Sequence, residues 1–307
     1  MISAISRNRS AVTGGPQCPA RTGTGIRMRL GAAAGASGVL AAAVALSAAA
    51  PAGASTGGAG AHPPSTVIAL HLRAMPRGTV TFGRRHGLLT VRAVMSGLTP
   101  GSSHAVDLRV PGRLRAVSFS TLTASGVGQA VSTLTSTFAG RLASGSRLTV
   151  RMGTGTSGVA REPIAVTGRL LRPGAGTHRL TAVEVTPGGF SFGTPQGHAT
   201  VAYQARRRTL TVTVSASGVT PGPHAAHIHL GSCLSQGPVK YMLRDLVANR
   251  RGRIVHAVRV FTNVTAPIPA RGWYLNIHQG NSGNILTRGG QPTIFFRPLL
   301  CADIRGR

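Results

Sequence analysis

Acidic side chains are almost missing from this chain. Among 307 residues only five carry a carboxylate, Asp107, Glu162, Glu184, Asp245 and Asp303, against 34 Lys and Arg. A Ca²⁺ or Mg²⁺ cage needs several oxygen ligands gathered together, which so few scattered acids hardly supply. A glycosidase site built on two carboxylates is disfavoured on the same ground. Aromatics are also scarce, with eight Phe, three Tyr and one Trp. Platforms for stacking bases are therefore few, and no nucleic acid is expected as a partner. The chain has no P-loop, no C-x-x-C and no H-E-x-x-H. Gly53-Ala54-Ser55-Thr56-Gly57 has the G-x-S-x-G form of a hydrolase elbow but follows no strand, so it is read as chance.

The basic residues are Arg, with Lys240 the lone Lys, and the formal net charge is +29. Arginine binds phosphate bidentately, although the abundance of Ala, Gly and Arg is also what GC-rich coding produces. Either way the charge draws anionic surfaces toward the protein. Anionic cell-envelope polymers are the expected class of partner. The sequence leaves the oligomeric state open.

Residues 1–54 read as an export signal. Arg7, Arg9, Arg21, Arg27 and Arg29 precede an uncharged Ala/Leu/Val-rich run, and Ala52-Gly53-Ala54 then supplies a small-x-small cleavage site. Met28 is an alternative start. Removing the five Arg of this segment from +29 leaves +24. No later run is apolar enough to span a bilayer, so the expected location is secreted, outside the cell. Cys18 leaves with the signal, and the remaining pair, Cys233 and Cys301, reads as one disulfide.

Residues 55–64 are rich in Gly, Ala and Pro and read as a flexible leader. Beyond them the chain repeats itself. Ser96-Gly97-Leu98-Thr99-Pro100-Gly101 recurs as Ser217-Gly218-Val219-Thr220-Pro221-Gly222. Each copy follows a hairpin of alternating strands, with Arg84-Arg85 and Arg206-Arg207-Arg208 at the turns. Period-2 alternation with Gly/Pro punctuation indicates an all-β protein. The expected architecture is two antiparallel, Greek-key-like β-sandwich units in tandem. They are placed at 65–170 and 179–304, joined by a linker at 171–178. Residues 239–248 are the one place where a short helical turn is expected.

The differences between the copies point to chemistry. The second reads His224-Ala225-Ala226-His227-Ile228-His229 where the first has His104-Ala105-Val106-Asp107-Leu108-Arg109. Farther on, His278 stands where the first copy has Arg151. Residues two apart on a strand share a face, so His227 and His229 project together and can chelate one ion. His278, on another strand, can supply a third imidazole. Nitrogen-only ligation suits copper or zinc, and three His with an open position describe a reactive site. His256, on the face of Ile254, Val258 and Val260, is expected to be a core histidine instead.

These residues carry a family resemblance. Gly222-Pro223-His224-Ala225-Ala226-His227-Ile228-His229 followed by Cys233 is similar to the copper-site strand of Cu/Zn superoxide dismutases. The closer resemblance is to chordin-type (CHRD) domains, through Ala226-His227-Ile228-His229, Gly237-Pro238-Val239 and Tyr274-Leu275-Asn276-Ile277-His278. It is specific over 197–280 and only a faint echo in the first copy. The dismutase likeness implies a related sandwich fold, His227, His229 and His278 as copper ligands, and His224 as a structural histidine. The departures are a missing zinc loop and bridging histidine, and Arg297 four residues before Cys301 where a dismutase has its anion-guiding Arg three before. The CHRD resemblance implies fold more than activity. The resulting expectation is a secreted metal-binding protein with an extracellular binding or structural role. A dismutase-like enzyme and a basic module for envelope polymers stand as alternatives.

Overall fold

A computed structural model describes residues 65–153, 164–170, 176–185 and 190–306. The expected signal (1–54), with Cys18, and the leader (55–64) lie outside the described residues, as do residues 171–175 of the expected linker. In chain order the first strands are β1 (Thr66–Ala74), β2 (Arg77–Arg85), β3 (Leu88–Ser96), β4 (Ser103–His104), β5 (Val106–Arg109) and β6 (Val117–Ser118). They are followed by β7 (Leu122–Thr123), β8 (Gln129–Thr137), β9 (Arg147–Arg151), β10 (Ile164–Arg169), β11 (Gly176–Ala182) and β12 (Glu184–Val185). Then come β13 (Ser191–Gly193), β14 (Gln196–Gln204), β15 (Thr209–Ser217), β16 (Gly222–His224) and β17 (Ala226–Gly231). The last are β18 (Gln236–Met242), β19 (Leu246–Ala248), β20 (Arg253–Phe261), β21 (Trp273–His278) and β22 (Pro298–Ile304), with one 3-10 turn at Ile294–Phe296. Among the described residues no helix is long and apolar enough to cross a membrane.

Two eight-stranded antiparallel sheets curl around separate cores, so the protein is all-β. One runs β6-β5-β9-β10-β11-β2-β3-β8 and the other β18-β17-β21-β22-β1-β14-β15-β20. The hairpins expected around the Arg-rich turns form, as β2–β3 and β14–β15. The repeated turn has the same geometry in both copies. Gly97 and Gly218 each have φ +74°, a conformation costly for any side chain. Leu98 and Val219 donate to the carbonyls of Gly128 and Gly252 respectively.

The partition into sheets exchanges two strands across the expected boundaries. β1, expected in the first sandwich, pairs with β14 and β22 in the second sheet. β11 includes residues 176–178 of the expected linker and pairs with β10 and β2 in the first sheet. The reason lies in their equivalence. Leu72 of β1 sits opposite Gly197, and Leu180 of β11 sits opposite Gly78. Both leucines point into a core, so each strand presents the pattern that either slot requires.

Two further expectations fail. Residues 239–248 hold no helical turn but the end of β18 and strand β19. His256 is exposed, because Val255 and His256 stand together opposite Ser215 in a β-bulge. His256 takes φ +44° there, and the bulge resets the alternation so that Val258 and Val260 face outward.

Candidate metal centre

On β17 the alternation is strict. Ala226 and Ile228 enter the core of the second sheet, which sends His227 and His229 to the opposite face. On β21, Leu275 and Ile277 enter that core. Register pairs His227 with Asn276 and His229 with Tyr274, so Tyr274, Asn276 and His278 share the histidines' face. That face is covered, leaving His227 4%, His229 3% and His278 0% exposed. The three residues singled out in the sequence therefore meet. Their ligating ring nitrogens lie within 4.8 Å of one another.

Hydrogen bonding settles which nitrogens face inward. His229 Nδ1 donates to the Gly237 carbonyl at 2.9 Å, and His278 Nδ1 donates to the Phe296 carbonyl at 2.6 Å. A carbonyl can only accept, so both rings carry their proton on Nδ1 and keep a lone pair on Nε2. His227 Nδ1 faces His278 Nε2 at 3.3 Å. His229 Nε2 is buried and has no hydrogen-bond partner, a deficit that costs on the order of 1–3 kcal/mol. Burial lowers the His227 pKa to about 4, with His229 adding to the effect and Asp245 opposing it. Burial likewise lowers His278 to about 3, reinforced by His227 and opposed by the Phe296 hydrogen bond. His229 is also lowered by burial. All three are neutral near pH 7, the state that binds a metal.

The donor set fits a single metal ion. It offers three imidazole nitrogens and no thiolate, and one of those nitrogens, His229 Nε2, is without a hydrogen-bond partner. Backbone carbonyls fix two of the rings, the usual outer support of a metal-bound histidine. Tyr274 adds a further brace that sequence reading missed. Its ring stacks on His229 at 5.0 Å, and its hydroxyl accepts from Gly237 N at 3.3 Å. Phe296 lies 4.7 Å from the His278 ring. Residues on the ligands' own strand face were the available signal for Tyr274, but nothing local pointed to Phe296 or Gly237.

His224 takes no place in the cluster. Its Nδ1 faces the His278 carbonyl at 2.9 Å and its Nε2 faces the Thr220 carbonyl at 2.7 Å, joining the repeated turn to the β21 end. His104 does the same in the first copy, with Nδ1 2.7 Å from the Arg151 carbonyl and Nε2 2.7 Å from Ser102 Oγ. The shared geometry belongs to the scaffold. Where the second copy has histidines, the first has an ion pair: Arg151 Nε donates to Asp107 Oδ2 at 3.0 Å, and Ser118 donates to Asp107 Oδ1.

Arg297 is not an open anion guide. It is 2% exposed, and its Nη2 donates to Glu184 Oε2 at 2.8 Å. Its Nη1 donates to the Ile164 carbonyl at 3.1 Å. The guanidinium thus fastens the loop before β22 to β10 and β12. Cys233 and Cys301 form a disulfide with Cα atoms 5.8 Å apart. It joins the loop after β17 to β22, and Met75 and Tyr274 pack against it. Closing a loop of 68 residues stabilises the fold by roughly 4 kcal/mol on the chain-entropy view.

A search of curated proteins finds no match to this chain. The CHRD domain family matches residues 177–289. The matched stretch contains β14–β21 and all three clustered histidines, while β1 and β22, which complete that sheet, lie outside it. Over these residues the chain is similar to CHRD domains, and the similar stretch includes the histidine cluster.

Proposed function

We propose that the protein is an exported metal-binding protein that holds one copper or zinc ion at His227, His229 and His278. The observation that carries this reading is the buried, partnerless Nε2 of His229, placed beside two further ring nitrogens. His227 would bind through Nδ1, which faces His278 Nε2, and His229 and His278 through Nε2, which their Nδ1 bonds to carbonyls leave free. When bound, the ion would supply a Lewis-acid or redox centre with room for further ligands. The chain's own residues hold the rings neutral, oriented and shielded from water. Export fits the Cys233–Cys301 disulfide, a bond that persists in oxidising compartments. An extracellular binding or structural role follows more readily than dismutation, because Arg297 is committed to Glu184.

The test is metal content after equilibrium with Cu²⁺ or Zn²⁺. The wild-type chain should retain one equivalent, and His227→Ala/His229→Ala should retain none while keeping its strand content. Equal retention by both proteins would end the proposal.

A further inference from the structure

The chain also has a basic cleft that the metal site does not use. It encloses about 810 Å³ where β1 leaves the second sheet and β2 begins the first. Its guanidiniums come from Arg73 on β1, Arg77 on β2 and Arg179 on β11, and His71 of β1 also lines it. Arg73 and Arg179 are exposed and Arg77 is half-buried. None of these three guanidiniums has a hydrogen-bond or ion-pair partner among the described residues. They differ in this from Arg297, Arg151 and Arg259, which are all engaged. Among the described residues no carboxylate lines the cleft.

Two smaller hollows share His71 with the cleft. One adds His198 and Arg253, and the other adds Arg305. Asp303, in the second hollow, accepts from Cys233 N. The result is an elongated basic channel rather than a pocket for one small anion. Among the described residues no Phe, Tyr or Trp lines the cleft or either hollow, so bases find no aromatic platform there. The accessible apolar lining is aliphatic, with Val94, Val131 and Leu234. We propose that this channel binds an extended, base-free, phosphate-bearing polymer. Its phosphates would meet Arg73, Arg77 and Arg179 through bidentate contacts, with the aliphatic lining against its backbone.

Inorganic polyphosphate is the probe, with single-stranded DNA of equal phosphate number as the base-bearing comparison. Wild type should bind polyphosphate at least as tightly as DNA. Three phosphate contacts should weaken binding about twentyfold between roughly 50 and 200 mM salt. Arg73→Gln/Arg77→Gln/Arg179→Gln should lose about tenfold or more in affinity. Arg250→Gln/Arg251→Gln/Arg288→Gln removes the same charge at exposed positions elsewhere and should change affinity far less. His229→Ala should leave binding unchanged, which separates this site from the metal centre. Equal losses in the two triple variants would reduce the effect to net charge and overturn the proposal. DNA binding tighter than polyphosphate binding would overturn it as well.

Discussion

The histidine cluster stores its chemistry in protonation as much as in position. Burial holds His227 neutral to about pH 4 and His278 to about pH 3, whereas an unfolded histidine takes its proton near 6.5. The unfolded chain therefore binds more protons than the fold below pH 6.5. The stability contributed by these groups is fully present above that value and drains away as pH falls toward 4 and then 3. Melting of the metal-free protein should show a midpoint that declines through this window, and His278→Asn should flatten the slope. A midpoint equally pH-dependent in both proteins would contradict the assignment. The Arg297–Glu184 pair makes a separate prediction. Glu184→Gln leaves a buried guanidinium without its counter-charge and should cost about 3–5 kcal/mol in urea unfolding, more than Arg297→Met/Glu184→Met. The histidines were legible in the sequence because their spacing matches a strand's period and the other copy lacks them. The ion pair was not, since its partners lie 113 residues apart and no local pattern joins them.

At the scale of elements, local pairing was readable and long-range pairing was not. The β2–β3 and β14–β15 hairpins follow from alternation and turn residues, which act over a few positions. The placement of β1 and β11 depends instead on which of two like slots each strand occupies. Both carry a buried leucine opposite a strand-opening glycine, so pattern alone cannot assign them. Those glycines allow close approach: a Cβ at Gly197 would stand 2.5 Å from the Ser215 carbonyl oxygen, and one at Gly78 would stand 2.3 Å from that of Val94. The consequence is that β1 is structural for the sheet holding the CHRD-matched strands despite lying more than 100 residues before the matched stretch. Leu72, fully buried between β14 and β22, should cost about 2–5 kcal/mol when changed to Ala. Val67→Ala on the exposed face of the same strand should stay within about 0.5 kcal/mol. The check is chemical denaturation of both variants; comparable losses would argue that β1 does not occupy this slot.

Among the described residues two similar curled sheets form, and one of them carries a donor set able to hold a metal ion. In the other, Asp107 and Arg151 occupy the equivalent strand positions and satisfy each other, so one ion per chain is the expected stoichiometry. The overall charge was visible in composition, but its gathering into a channel was not, because Arg73, Arg77 and Arg179 converge only when β1 and β11 take their places. The central claim is that three imidazoles share one ion. Anomalous diffraction at the copper and zinc edges, from crystals of the metal-loaded protein, tests it most directly. The account predicts a single strong peak bounded by His227 Nδ1, His229 Nε2 and His278 Nε2. A site free of anomalous signal after metal loading, or a peak elsewhere with these three rings unengaged, would contradict it.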